Sequence, residues 1–446
     1  MSEWNIVRFE EISDFKYGKM PKKEKLNKGK YPVFTGYRIA GYYPEFMYEE
    51  PQLVVIARGV GGTGNVVISP SYSYVTNLSI VALLDKSKCD LEYLYYYFQN
   101  NSLRYLDSGS VQSQITIQNL KNLELPLPEF PIQKKIAYLL KSFDNKIENN
   151  RKINETLEAM AQAVFKSWFV DFEPTRAKIA ALEAGGSEDD ATLAAMTAIS
   201  GKDKAALELM RTSSPDTYEE LKSTANLFPS SFQESELGQI PEGWEVKTVG
   251  NAVDTISETY PLKTVSDVIF LNTGDILNGR FLHSNKSDAS NLPGQAKKSI
   301  REGDILYSEI RPQNKRFAFV CFDGSEHVVS TKLMVLRSTT DISSLFIYFV
   351  LTQQSVIDYL QMMAESRSGT FPQITFDVLS KVNYVGPADN QLIYIFTKNI
   401  VEPFYRNFIS QDKEIQTLTQ TRDALLPKLL SGEIDVSALT KAGSEG

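Results

Sequence analysis

A heptad pattern of apolar residues runs through residues 131–168, PIQKKIAYLLKSFDNKIENNRKINETLEAMAQAVFKSW. Its seam positions, alternately three and four residues apart, are Ile136, Leu140, Phe143, Ile147, Asn150, Asn154, Leu157, Ala161, Val164 and Trp168. This period predicts a long helix that buries one narrow face against another helix, and Pro131 suits its first turn. Packing into an ordinary core would be the simpler explanation of a single heptad run.

A second seam follows 261 residues later and consists of Thr397, Val401, Phe404, Phe408, Gln411, Ile415, Leu418, Arg422, Leu425 and Leu429. Both seams carry a polar residue at the same central place, Asn150 and Gln411, and such a residue can fix register at a cost in stability. Pro403 predicts a kink or a new helix start. Two seams of matched length predict an antiparallel coiled coil. At about 57 Å it would exceed one DNA turn of about 34 Å, so it could hold two lobes apart along a duplex.

Short matches in constant order indicate that the chain contains one lobe twice. Trp4, Ile6, Phe9 and Ile12 match Trp244, Val246, Val249 and Ala252 at an offset of 240. Further matches join residues 34–36 to 272–274 (offset 238), Arg58 to Arg311 (253), 76–78 to 331–333 (255) and 114–116 to 373–375 (259). The drift in offset is expected if insertions collect in loops. The sequence therefore predicts two similar lobes.

The lobes have the pattern of mixed α/β domains. Short apolar runs between turn residues predict strands at 53–57, 66–68, 80–84, 304–307, 318–322 and 333–336. Helices are predicted at 91–100 and 344–361. The predicted fold class is thus α/β (α+β), with two similar lobes separated by two long helices.

The negative charge is concentrated in one segment. The chain of 446 residues has a net charge of −8, and residues 183–236, with eleven acids and four bases, account for −7 of it. The remainder is nearly neutral, which leaves DNA binding open. The alanine-rich acidic stretch at 173–236 is interpreted as a peripheral insertion or a partly ordered linker.

Composition and termini predict an intracellular, cytoplasmic protein without metal or membrane segments. No apolar stretch approaches the ~20 residues of a membrane span, and the start MSEWNIVRFEE has no charged-then-apolar leader. Two cysteines (Cys89, Cys321) and two histidines (His283, His327) cannot form a disulfide framework or a Cys/His zinc site.

The motifs of an enzyme are missing from the sequence. It has no phosphate loop of the form G-x-x-x-x-G-K-[ST] and no Asn/Asp-Pro-Pro-aromatic tetrapeptide of amino-methyltransferases. The glycine-rich run at 58–65 precedes a strand rather than a helix, which predicts a hairpin or a loop approached closely by other groups instead of a mononucleotide site. Asp216 and Glu220 lie one helical turn apart, which is typical of a solvated helix face. We expect a protein that binds rather than catalyses.

Candidate DNA-binding residues form a basic segment and two matched polar loops. Residues 16–38 have a net charge of +7 with tyrosines between the lysines, a composition that attracts phosphates but also fits an ordinary solvated loop. Glutamine, arginine and serine or threonine can contact base edges. The candidates are Lys16, Lys19, Lys22, Lys23, Arg58, Ser110, Gln112 and Gln114 in the first lobe, and Arg311, Lys315, Arg316, Arg367, Thr370 and Gln373 in the second.

Three strings make the chain resemble the specificity subunits of type I restriction-modification systems. They are LPLPEFPIQKKIAYLLKSFDNKIENNRKINETLEAMAQAVFKSWFVDFEPTRAK (125–178), LFPSSFQESELGQIPEGWEV (227–246) and TRDALLPKLLSGEIDV (421–436). The resemblance implies a non-catalytic DNA-recognition subunit with a pseudo-two-fold axis. Each lobe would be a target recognition domain for one half of a bipartite, asymmetric site. The implied division is 1–130, target recognition domain 1; 131–173, first spacer helix; 174–235, acidic insertion; 236–386, target recognition domain 2; 387–436, second spacer helix; 437–446, flexible tail.

The resemblance also implies partners. Two methyltransferase subunits would dock on the helices and bind S-adenosylmethionine, which this chain would not bind itself, and two restriction-translocase subunits can complete the complex on double-stranded DNA. The candidate docking residues are Tyr138, Leu139, Met160, Phe165, Phe169, Leu426 and Leu430. The alternative is a coiled-coil protein-interaction scaffold without sequence-specific DNA recognition.

Overall fold

The structure is a computed structural model that describes residues 4–59, 62–107, 114–367 and 369–437. The chain divides into two compact units. Unit 1 comprises Met1–Arg151 and Asp412–Gly446, and unit 2 comprises Lys152–Gln411. We call their globular parts the first and the second lobe. Within the described ranges, none of the helices combines the length and hydropathy needed to span a lipid bilayer.

The first lobe is built on a four-stranded antiparallel sheet in the order Ser13–Tyr17, Ser79–Leu84, Leu53–Ile56 and Val66–Ile68. All four residues of Leu53–Ile56 are buried because this inner strand is covered on both faces. Leu53 and Val55 pack with helix Leu91–Asn100 on one face, and Val54 packs with Phe34 and Val75 on the other.

The smaller elements of the first lobe complete its layers. A three-stranded sheet has the order Ile39–Tyr43, Tyr31–Phe34, Tyr74–Val75, and its last pair is parallel. Strand Asn5–Arg8 pairs with Glu124–Leu127. The remaining helical elements are Phe9–Ile12, Lys23–Lys25, Leu103–Leu106 and Ile117–Lys121.

The second lobe repeats this order of strands. Its corresponding sheet has the order Val253–Ile256, Leu333–Ser338, Ile305–Ser308 and Phe317–Phe319. A second sheet has the order Lys286–Asp288, Asp267–Leu271, His327–Ser330 and Ala296–Ser299, with a parallel pair between its two inner strands. The other strands are Trp244–Thr248 paired with Asn383–Pro387, Phe232–Ser235 with Gly238–Pro241, and Ile276–Leu277 with Arg280–Phe281. The prediction of two lobes with one topology is confirmed.

The helices of the second lobe differ in one respect from the prediction. The segment 344–361, predicted as one helix, is two helices, Ser344–Leu351 and Gln354–Arg367, with a break at Thr352 and Gln353. Every residue from Leu345 to Leu351 is buried. This first helix is therefore a core helix, and the chain must turn before the amphipathic second helix. A short helix, Phe376–Leu379, follows.

The first long helix, Phe130–Phe169, pairs with the second long helix, Glu402–Leu430, and the contacts run in opposite chain directions. In unit 1, Arg422 Nη1 lies 2.6 Å from Asp144 Oδ1, and Asn150 Nδ2 donates to Glu414 Oε2 at 2.8 Å. In unit 2, the Tyr405 hydroxyl donates to Glu158 Oε2 at 3.0 Å. Residue numbers rise along one helix as they fall along the other, so the predicted antiparallel pairing is confirmed.

The start of the second long helix lies where Pro403 predicts it. Helix Gln391–Ile395 passes through a π-helical segment, Phe396–Val401, and the α-helix begins anew at Glu402. Because proline has no N–H to donate, it is tolerated in this first turn. A second proline, Pro427, lies inside the last turns of the same helix, which the sequence analysis did not foresee.

The acidic insertion is a packed helical bundle, so its interpretation as a partly ordered linker is wrong. Its helices are Glu173–Glu183, Glu188–Ser200, Lys204–Ser213 and Pro215–Asn226. Ala195, Met196, Leu207 and Ala225 form a small buried core. Small alanine side chains allow these helices to approach closely, while the acidic residues remain on the surface.

Candidate nucleic-acid interface

In each lobe, a single antiparallel bridge joins the loop after the inner strand to the segment that carries the predicted glutamine. Arg58 bridges Gln114 in the first lobe, and Ile310 bridges Gln373 in the second. Backbone hydrogen bonds hold both pairs: Ile115 N donates to Ala57 O at 3.0 Å, and Ile374 N donates to Glu309 O at 2.8 Å. In both lobes the predicted glutamine therefore lies beside the loop that follows the inner strand.

The bridges correct the repeat alignment by one residue. The equivalent strands Leu53–Ile56 and Ile305–Ser308 differ by 252, so the residue equivalent to Arg58 is Ile310 and not Arg311. The match of 76–78 to 331–333 also shifts by one residue. Ile56 and Ser308 are equivalent, so their strand partners, Ser79 and Leu333, are equivalent too. The offset of 259 for the glutamines is confirmed by the two bridges. Since side chains of directly bridged residues lie on one face, Gln114 has an arginine beside it and Gln373 an isoleucine.

In the first lobe, the bridged residues are accessible. Arg58 is exposed and Gln114 is half-buried, and the backbone N–H of Gln114 is held by Asp107 Oδ1 at 2.8 Å. Ser110 and Gln112 lie outside the described residues. The bridge therefore leaves one cationic and one amide side chain available at the surface.

The predicted lysines of the first lobe are all exposed. Lys16 lies on strand Ser13–Tyr17, and the hydroxyl of the next residue, Tyr17, accepts from Ile117 N at 3.4 Å. This contact places the Lys16 strand beside the Gln114 segment. Lys19 and Lys22 precede the turn Lys23–Lys25, in which Lys23 lies, and among the described residues none of these three lysines forms a hydrogen bond or an ion pair with Arg58 or Gln114.

In the second lobe, the predicted cations have different surroundings. Arg311 is exposed, and it begins a turn that ends at Lys315, with both residues at positive φ. The Arg316 guanidinium instead donates to Gly274 O at 3.0 Å and to Ile276 O at 2.9 Å. Arg316 therefore fastens two loops of the lobe together, while Arg311 remains available for a ligand.

The other predicted residues of the second lobe lie around Gln373. Arg367 ends helix Gln354–Arg367 and donates through Nη1 to Thr375 Oγ1 at 3.2 Å. Thr370 is exposed and Gln373 is half-buried. Arg367 and Gln373 thus belong to one small polar surface, bounded by the Ile310 bridge.

Tyr37, one of the tyrosines between the lysines of residues 16–38, contacts the glycine-rich loop, which the sequence analysis did not predict. The glycine-rich run follows the hairpin prediction, since Leu53–Ile56 and Val66–Ile68 pair antiparallel on either side of it. A Cβ on Gly59 would lie 2.5 Å from the Tyr37 hydroxyl, and one on Gly62 would lie 2.1 Å from Tyr37 Cε1. The ring therefore packs directly on the loop that begins with Arg58, and its partial burial raises the pKa of Tyr37. The glycines of the loop, which leave room for a ring, are the sequence signal that could have indicated this contact.

Comparison with known proteins agrees with this repeated architecture. A model of the type I restriction modification DNA specificity domain matches residues 1–159 and 241–409, one match for each lobe with its helix. This chain belongs to the type I DNA specificity family. It is 35% identical over 333 residues to the type I restriction enzyme HindI specificity subunit of Haemophilus influenzae, covering 72% of this chain and 71% of that one.

Other members of the specificity family cover nearly the whole chain. The type I restriction enzyme MjaIX specificity subunit of Methanocaldococcus jannaschii is 24% identical over 98% of this chain and 95% of its own. The crystal structure of the S subunit from M. genitalium aligns with a TM-score of 0.54 and 18% identity, covering 96% of both chains. That likeness supports the fold.

The docking residues predicted from the family resemblance divide into buried and exposed groups. Phe165, Phe169 and Leu430 are only 2%, 3% and 4% exposed and belong to the cores of their units, so placing them on an outer face was wrong. Leu139 and Leu426 are half-buried against the core of unit 1. Only Tyr138 and Met160 have largely exposed side chains, at 64% and 49%. Near their ends the helices contact a lobe as well as each other, so their outer positions are covered.

No metal site is formed by the described residues. Among them, no group of three or more histidine, cysteine, aspartate or glutamate side chains is placed to hold a metal ion. The His283 Nε2 atom lies 3.5 Å from Asp275 Oδ2. The other histidine, His327, is half-buried, and this burial lowers its pKa.

Proposed function

We propose that this chain is the DNA-recognition subunit of a type I restriction-modification complex, with each lobe recognising one half of a bipartite, asymmetric target. The observation that supports this most directly is the repeated bridge, Arg58 to Gln114 and Ile310 to Gln373, on equivalent strands of two equivalent lobes. Each bridge leaves a polar side chain of a base-contacting type accessible. Because the side chains around the two bridges differ, the two half-sites should differ in sequence.

Chemistry would be supplied by other subunits. Two methyltransferase subunits would dock on the paired long helices and bind S-adenosylmethionine, and two restriction-translocase subunits can join them. The exposed Tyr138 and Met160 side chains are suited to such docking. The complex would act on double-stranded DNA in the cytoplasm. With a net charge of −8, the isolated chain should bind DNA weakly, since its basic surfaces are small.

A lobe exchange tests the proposal. Residues 1–130 are replaced by the first lobe of a family member with a different target, and DNA from cells carrying the system is analysed by modified-base sequencing. One half of the methylated motif should change while the other half and the spacing between them remain. The matched control exchanges residues 236–386 and should change the other half. A change in both halves after one exchange would contradict the proposal.

The alternative, a protein-interaction scaffold, predicts a different result in a binding assay. The assembled complex is titrated with the methylated duplex and with a duplex of scrambled half-sites at several salt concentrations. A recognition subunit should prefer the first duplex at every salt concentration, because base contacts add to phosphate contacts. Equal affinity for both duplexes would favour the scaffold.

A further inference from the structure

An exposed aromatic ring covers the loop that follows the inner strand of the first lobe. The Tyr37 side chain is 48% exposed. Its other side packs on the loop so closely that a Cβ on Gly62 would lie 2.1 Å from Tyr37 Cε1 and 2.4 Å from the hydroxyl oxygen. A Cβ on Gly59 would lie 2.5 Å from the same oxygen. The hydroxyl therefore lies next to Gly59, the residue that follows Arg58.

The backbone that carries Tyr37 is fastened to the core of the lobe. Tyr37 lies in the turn that follows strand Tyr31–Phe34. Thr35 Oγ1 accepts hydrogen bonds from Tyr37 N at 3.3 Å and from Arg38 N at 3.2 Å. The carbonyl of Thr35 accepts from Oγ of the buried Ser79 at 3.3 Å. The ring is thus held by its turn on one side and by the glycine loop on the other, so its hydroxyl can meet a ligand without reordering the chain.

Two exposed arginines flank this hydroxyl. Arg38 follows Tyr37 in the chain, and Arg58 begins the loop on which the ring packs. Among the described residues, neither the two guanidinium groups nor the Tyr37 hydroxyl forms a hydrogen bond or an ion pair. The acid at the bridge, Asp107, accepts from a backbone N–H at 2.8 Å. The groups around Tyr37 are therefore donors of hydrogen bonds whose positive charge is not neutralised by an ion pair.

The chemistry of these groups fits a phosphate. A guanidinium group donates to phosphate oxygens with matching planar geometry. Tyrosine is among the side chains that contact the DNA backbone, whereas base edges are recognised mainly by arginine, lysine, asparagine and glutamine. Partial burial raises the pKa of Tyr37, so its hydroxyl keeps its proton at neutral pH and can donate it. A cationic ligand would instead face two positive charges.

Building on the proposed function, we propose that Tyr37 and Arg38 form a phosphate site of the first lobe. The Tyr37 hydroxyl donates to a DNA backbone phosphate next to the bases that Arg58 and Gln114 recognise, and the Arg38 guanidinium supplies the positive charge. Phosphate contacts fix the position of a protein on the duplex but do not themselves select a sequence. This site holds the first lobe in the register that its base-contacting side chains need.

The test titrates the assembled complex with the duplex whose methylated motif has been identified, and compares the wild type with Tyr37→Phe. Phenylalanine keeps the ring on the glycine loop and removes only the hydroxyl, so the fold should persist. Loss of a hydrogen bond to a charged group should weaken binding by roughly 10–100-fold, while the methylated motif stays the same. The salt dependence of binding should be unchanged in Tyr37→Phe and shallower in Arg38→Gln, because only the arginine releases counterions.

Two further variants separate the hydroxyl from general effects on the lobe. The matched control is Tyr42→Phe, because Tyr42 is exposed to the same extent, 48%, whereas the atoms closest to both loop glycines belong to Tyr37. Its binding should match the wild type. Gly62 does not have a positive φ, so Gly62→Ala leaves the backbone unstrained, but its Cβ would displace the ring. This variant should weaken binding as Tyr37→Phe does.

The possible failures of this test are distinguishable. Unchanged affinity of Tyr37→Phe, an equal loss in Tyr42→Phe, or an unchanged salt dependence in Arg38→Gln would overturn the inference and leave the proposed function intact. A changed methylated motif in Tyr37→Phe would also overturn it, because the hydroxyl would then contact a base. If the wild-type complex did not prefer its methylated duplex over one with scrambled half-sites, the proposed function itself would be wrong.

Discussion

Removal of the Arg337 guanidinium should destabilise the second lobe strongly. Arg337 is 9% exposed and Asp304 is fully buried. The pair is bidentate, with Arg337 Nε 2.7 Å from Asp304 Oδ1 and Nη2 2.9 Å from Oδ2. Arg337→Met would fill much of the same space and leave the Asp304 carboxylate buried without a cation. One hydrogen bond, from Arg301 N at 2.9 Å, would remain.

The size of the effect follows from this burial. Breaking a buried ion pair by removing one partner costs about 3–5 kcal/mol, because the remaining charge stays desolvated. In a domain of this size, a loss of that magnitude lowers Tm by roughly 10 °C. The double variant Asp304→Leu/Arg337→Met removes both charges and should recover most of the loss. Lys381→Met is the control, since its pair with Asp377 is exposed on both sides and exposed pairs contribute about 0–1 kcal/mol.

Tryptophan fluorescence during urea denaturation can follow the second lobe separately. Two of the three tryptophans, Trp168 and Trp244, are buried in the core of unit 2. The third, Trp4, donates from Nε1 to Leu430 O at 2.8 Å in unit 1, so a Trp4→Phe background confines the signal to unit 2. A loss below about 1 kcal/mol for Arg337→Met, the range of exposed pairs, would refute the reasoning. So would a double variant as unstable as the single one.

Three further outcomes are expected. Gln114→Ala should alter base preference in one half-site and Gln373→Ala in the other, each by about 1–3 kcal/mol. Modified-base sequencing shows which half-site has changed. If either substitution changed both half-sites, the prediction would be wrong. In the wild-type chain, folding stability should decrease as the pH rises, and Glu158→Gln should abolish this decrease. Burial raises the pKa of Glu158 in the folded state. The folded chain therefore keeps this proton above the unfolded-state pKa of about 4.3, and stability decreases from that pH up to the folded-state pKa. Urea denaturation between pH 4 and 8 measures the free energy of unfolding, and an unchanged dependence on pH in the variant would contradict the prediction. Asn150→Leu should stabilise the paired helices by about 1 kcal/mol, because Asn150 is fully buried and its Oδ1 lacks a hydrogen-bond partner among the described residues. The substitution also removes the hydrogen bond from Nδ2 to Glu414, but that carboxylate is exposed and keeps its ion pair with Lys146. A lower Tm would show that the amide contributes net stability.

The long helices could be predicted from the sequence because their period is carried by many residues at once. The seam positions of the first helix, from Ile136 to Trp168, are all buried or half-buried. A heptad period shows which face meets the other helix, but it contains no information about a third element. Phe165 and Phe169 were therefore placed on an outer face, although a lobe covers them.

The register of the repeat could not be predicted to the residue. The strings LVVIAR and ILYSEIR both end in arginine. Matching these two arginines aligns the two lobes one residue away from the alignment that their paired strands show. Only the strand pairing reveals that Ile310 occupies the place of Arg58. Glu158 was missed for a related reason: it lies next to the seam, and its burial depends on Tyr405, which is distant in sequence.

The order of the acidic insertion was also beyond prediction from composition. Alanine, glycine and acidic residues are typical of linkers as well as of small helical bundles. The decision depends on whether a few side chains such as Met196 and Leu207 meet in space, as they do here.

The bridges at Gln114 and Gln373 are made by backbone groups, which every amino acid except proline supplies in full. The residues on the two bridges can therefore be exchanged for others without loss of the hydrogen bonds that position them. A new target preference would then require only a few nucleotide changes in the gene, with little penalty in folding. Such a protein could diversify quickly, one half-site at a time, while its assembly with the same partners stays unchanged.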